Sequence, residues 1–93
     1  MKKASIASVK RLFESNIGRE IKARWPDLLI VGNTGNTLLP GRTEQRIIKS
    51  VKGNKVNFAG NGVLTFQTGD VAYEGPGIIE VWNTGEKIVS YLF

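Results

Sequence analysis

The chain contains neither cysteine nor histidine. The thiolate nucleophile, the usual zinc ligands and the commonest general base are therefore all missing. Two carboxylates remain as candidates for acid–base or cation chemistry, Asp70 and Glu74, four residues apart in a glycine-bounded segment. Such pairs work when they share a face, and in a segment without helical pattern this spacing provides none. Serine and threonine are present, but no base stands ready to activate them. The expectation is a protein without catalytic residues, metal or cofactor, and not an enzyme.

A second candidate is the glycine-rich stretch Leu28 to Arg42, "LLIVGNTGNTLLPGR". A P-loop requires G-x-x-x-x-G-K-[ST] between a strand and a helix; no lysine follows these glycines, and "NTLLPGR" starts no helix. Gly32-Asn33-Thr34-Gly35 matches the G-x-x-G of a nucleic-acid backbone clamp, but that clamp lies between helices, and here the flanks are apolar and extended. The composition fits a turn tolerant of positive φ. The stretch reads as an irregular hairpin or a long barrel loop closed by Pro40-Gly41, a turn by construction and a contact loop by position.

Charge points to a partner more clearly than to a reaction. The net charge is +5, yet residues 1–55 hold twelve Lys/Arg against four Asp/Glu, and residues 56–93 hold Lys87 against four carboxylates. A basic half of this kind matches an acidic partner, nucleic acid first among them. The residues expected to contact phosphate are Arg19, Lys22, Arg24, Arg42, Arg46, Lys49, Lys52 and Lys55. They would form one positive surface if the strand at 20–25 lies beside the strand at 43–52, because cations spaced along strands can follow a phosphate backbone. Glu20 and Glu44 would dilute it. Of the eight aromatic residues, Phe13, Phe58 and Phe66 sit at inward parity and belong to a core; Tyr73 and Trp82 lie near turns and are the partner-contact candidates.

The elements that must position these residues follow from periodicity. Ile6, Val9, Leu12, Phe13 and Ile17 form a helical stripe over about 5–17, with Ser5 as N-cap and Gly18 as the left-handed stop. "REIKARW" alternates, Ile21, Ala23 and Trp25 facing one way and Glu20, Lys22 and Arg24 the other, until Pro26. Hairpin turns are expected at Gly53-Asn54, at Asn61-Gly62, and at Asn83-Thr84-Gly85 as a type I turn with a glycine bulge. Ninety-three residues support one core. The expected fold is α+β, mostly β, in a single domain spanning 1–93. Its N-terminal helix would pack on a small SH3-like or OB-like antiparallel, partly open barrel of five to six strands running from about residue 19 to 93.

With Ile17-Gly18-Arg19 as the strand entry after a short helix, then a loop and a meander, the layout resembles small proteins of phages and mobile elements that carry an N-terminal helix and an SH3-like barrel. The resemblance spans most of the chain, is one of pattern, and implies a fold and a setting without assigning site residues.

Two functions are therefore expected to compete. One is a nucleic-acid-binding module working through the basic sheet face. The other is a phage-type protein-interaction module, an inhibitor or adaptor that grips an acidic site on a partner protein. The terminal strand "KIVSYLF" could also pair with a second copy of the chain to make a homodimer. Lys10 and Arg11 interrupt the apolar run that should follow Met1-Lys2-Lys3 in a signal peptide, and no stretch reaches membrane-span length, so a cytoplasmic setting without membrane contact is expected.

Overall fold

The computed structural model describes residues 1–60 and 62–93. The chain is mostly β with one short helix: β1 (Lys2–Ala4), α1 (Ile6–Glu14), β2 (Glu20–Trp25), β3 (Leu28–Gly32), β4 (Gly35–Leu39), β5 (Arg42–Lys52), β6 (Lys55–Phe58), β7 (Val63–Thr65), β8 (Val71–Gly75), β9 (Ile78–Asn83) and β10 (Glu86–Leu92). Eight strands form one antiparallel sheet in the order β1-β8-β9-β10-β2-β5-β6-β7, while β3 and β4 pair only with each other. Strand number thus exceeds the expected five or six, and the sheet is not closed, since β1 and β7 each have one partner among the described residues.

The sheet curls because β5 serves two neighbours. Its first half, Arg42 to Ile47, pairs with β2; its second half, Ile48 to Lys52, pairs with β6, with a register shift between Ile48 and Ser50. A bulge in a long strand increases local twist and turns the sheet onto itself. The enclosed core is Val9 and Phe13 from the helix together with Ile21, Ala23, Ile48, Val56, Phe58, Phe66, Ala72, Ile79, Val81, Val89 and Tyr91. Phe13 is its hub, with ring centroids 6.3 Å from Phe58, 5.3 Å from Tyr91 and 5.2 Å from Phe93.

Ser5 caps α1 as expected, its Oγ accepting the Ser8 amide at 3.1 Å. The helix stops at Glu14 instead of continuing to 17, and Ile17 lies exposed. Ser15 Oγ and Asn16 Nδ2 donate to the carbonyls of Arg11 and Leu12, and this local competition by short polar side chains ends the regular turn. Gly18, at φ +88°, then donates its amide to the Ile48 carbonyl at 2.7 Å and hands the chain to β2.

Of the expected turns, Gly53-Asn54 links Lys52 to Lys55 with positive φ at the glycine. Asn61 of the second lies outside the described residues. The third differs: Asn83 pairs with Glu86, leaving the two-residue turn Thr84-Gly85 with φ of +52° and +79°. Positive φ at both positions is the I′ geometry whose twist matches a hairpin, so the glycine-bulge turn gives way to a tighter one. β10 lies between β9 and β2; its pairing with β9 runs from Glu86 to Leu92, and its pairing with β2 covers Ser90, Tyr91 and Leu92. No helix is long and apolar enough to cross a membrane.

Candidate functional site

The expected basic surface divides. In the β2–β5 ladder Lys22 stands opposite Gln45 and Arg24 opposite Thr43, whereas Trp25 pairs with Arg42, Ala23 with Glu44 and Ile21 with Arg46. Paired residues share a face. Lys22 and Arg24 therefore lie on the outer side, and Arg42 and Arg46 on the core side at the open end of the sheet; Lys49 is exposed within the β5 bulge. There the two guanidinium groups sit 4.4 and 5.6 Å from the Trp25 ring, and both reach Glu44 Oε2, Arg46 at 2.7 Å and Arg42 at 3.4 Å. The Arg46 hydrogen bond, aided by Arg42, holds the Glu44 carboxyl below its ordinary value despite an opposing desolvation effect. Lys52 and Lys55 face each other at the β5–β6 turn, where Lys10 Nζ donates to the Gly53 carbonyl at 3.0 Å. Arg19 sits apart, bonded to Asn16 Oδ1 at the helix exit. The cations thus form separate groups, two of them already committed to Glu44.

Tyr73 and Trp82 come together on the outer face of β8 and β9, ring centroids 6.1 Å apart and nearly perpendicular. Trp82 Nε1 donates to Glu80 Oε1 at 3.1 Å, and Lys87 Nζ lies 3.6 Å from Glu80 Oε2. Asp70 and Glu74 do not converge on a common site. Asp70 accepts from the Gln67 amide and from Asn83 Nδ2, both at 2.7 Å, and so latches a loop; Glu74 lies on β8 opposite Ile79 and Lys2.

The largest departure from globular packing is β3–β4. Its register, from Leu28↔Leu39 to Gly32↔Gly35, continues the β2–β5 ladder, whose last pair is Trp25↔Arg42. Two residues on each strand interrupt the ribbon, Pro26-Asp27 and Pro40-Gly41. Each proline removes a ladder donor, and the Asp27 carboxylate accepts the Gly41 amide across the break. Gly41 fits because it lacks a side chain, as a Cβ would lie 2.5 Å from the Trp25 carbonyl oxygen. One long hairpin is thereby kinked into a body and a projecting arm. The radius of gyration is 14.1 Å, against roughly 12 Å for a compact domain of this length.

Both faces of this arm are apolar and open to solvent. Leu28, Ile30 and Leu39 lie on one side with Thr37; Leu29, Val31 and Leu38 lie on the other with Asn36. Their exposures run from 45 % at Leu39 to 74 % at Val31. The fourteen residues from Leu28 to Gly41 include no charge. A cleft of about 650 Å³ opens at the base of the arm, walled by Trp25, Leu28, Leu29, Leu39, Trp82 and Ile88. Its charged lining residues are Asp27 and Glu86 against Arg42 and Lys87.

Comparison with known protein families, curated proteins and solved structures finds no match. The arm and its cleft must therefore be read on their own physics. Two strands alone are marginally stable in water, and exposed aliphatic side chains on both faces gain nothing from the body they leave. An apolar patch of this size, rimmed by charge, is the mark of a contact surface. Sequence parity misses it because aliphatic runs normally indicate interior strands; the paired Pro26-Asp27 and Pro40-Gly41 breaks are the signal that could have set the segment apart.

Proposed function

We propose that the chain is a protein-interaction module, an adaptor built on an SH3-like curled sheet, which docks through the β3–β4 arm. The observation that carries this reading is the exposure of aliphatic side chains on both faces of an uncharged hairpin. Phosphate is a poor partner for that surface, since nucleic-acid contact is dominated by cations. Contact with nucleic acid is the second reading, favoured by the three lysines Lys10, Lys52 and Lys55 around the β5–β6 turn.

One experiment separates the two. A photo-cross-linking residue replaces Val31 on the arm or Asn54 at the basic turn, both exposed, and the purified chain is irradiated in cell extract. Discrete protein adducts from position 31 and not from 54 are expected. Adducts with nucleic acid from 54, with none from 31, would reverse the order of the two readings.

A further inference from the structure

We infer that the occupant of the arm is a second copy of this chain, the two arms lying antiparallel so that each tip enters the cleft at the base of the other. The inference rests on the docking role of the arm and goes beyond it by naming the partner. Three observations carry it.

An isologous interface must be self-complementary, and here ridge and groove are adjacent parts of one surface. The arm is a five-pair ribbon about 17 Å long, and the cleft begins where it leaves the body, sharing Leu28, Leu29 and Leu39 with it. A two-fold axis beside the arm sets each ridge in the other's groove.

Charge complementarity agrees. The whole chain carries +5, so most of its surface repels a copy of itself. The arm is neutral and the cleft lining balances two carboxylates against two cations, which leaves this surface free of net repulsion.

Area is at the threshold. Six aliphatic side chains at 45–74 % exposure present roughly 600 Å² of apolar surface over the two arm faces, at the upper end of what an ordinary monomer shows. One face carries three of the six, so burying one arm face and one cleft on each of two copies removes roughly 1,000 Å² in total, the size at which a specific but readily reversible interface begins.

The test is molar mass by light scattering at about 50 µM, with sedimentation up to about 0.5 mM, on wild type, Val31→Lys, Ile88→Glu and an equimolar mixture of the two variants. Both substituted residues are exposed, Val31 at 74 % and Ile88 at 46 %, so the fold should survive, and far-ultraviolet dichroism checks this. Wild type should have twice the 10.2 kDa of the chain. Each variant alone should be a monomer, with its dissociation constant raised at least about 100-fold, two decades being about 2.8 kcal/mol. The mixture should regain the dimer, because a lysine-bearing arm then meets a glutamate-bearing cleft and the other arm–cleft pair is wild type. A monomeric wild type, unaltered dimers of the variants, an unrescued mixture or an open series of larger species would each overturn the inference. A monomer that still cross-links another protein from position 31 leaves the docking role standing without self-pairing; a monomer without such adducts removes both.

Discussion

Replacing Phe13 with alanine is expected to cost about 3–5 kcal/mol, the range for a buried phenylalanine. Phe13 is fully buried and its ring touches those of Phe58, Tyr91 and Phe93, so truncation opens a void bounded by helix and sheet together. Collapse around that void is restricted because the walls come from α1, β6 and β10, each held by its own hydrogen bonds. A domain of this size has about 5–14 kcal/mol in total, so the substitution removes a large share of it. At about 4–8 °C per kcal/mol, the thermal midpoint should fall by more than about 12 °C. A fall of less than about 4 °C would mean that Phe13 is not the hub.

Removing Tyr91, Leu92 and Phe93 should abolish cooperative folding. Tyr91 is 4 % exposed and pairs with Ala23 on β2 and Ile79 on β9. The Phe93 amide donates to the Gly77 carbonyl at 2.9 Å. These residues carry the whole of the β10–β2 pairing, Ser90 apart, so their loss separates the β8–β9–β10 half of the sheet from the β2–β5–β6 half. The truncated chain is expected to show no sigmoidal urea transition. A cooperative transition with well-dispersed amide resonances would show that β10 is dispensable and that the core is organised differently.

Much of this fold is legible in the residues. The helix announces itself through Val9 and Phe13, and β2 through the alternation of Ile21 and Ala23 with Lys22 and Arg24. The turn at Gly53 follows from glycine chemistry. The basic surface is less readable for a specific reason: Ile47 and Ile48 are adjacent, and only one can face inward. Ile48 is buried and Ile47 is 43 % exposed, which sends Arg42, Glu44 and Arg46 to the core side and leaves Lys22 and Arg24 on the other. A one-residue change of register reverses every side chain, so the sequence alone leaves both outcomes open. The arm is hidden by the opposite ambiguity. "LLIV" reads as interior strand, and its exposure follows from the register across Pro26-Asp27 and Pro40-Gly41, a long-range feature. Tyr73 and Trp82 stand nine residues apart and meet only through the β8–β9 pairing.

The central claim is that the arm is built for contact and not for the stability of the body. It is tested most directly by replacing Leu28 to Leu39 with Asn-Gly, keeping Pro26-Asp27 and Pro40-Gly41, and measuring urea unfolding at a concentration of about 1 µM. None of the six arm aliphatics belongs to the buried core, so the shortened chain should unfold cooperatively with a free energy within about 1 kcal/mol of the intact one. A loss of several kcal/mol, or failure to fold, would show that the hairpin stabilises the body and would contradict its reading as a docking arm.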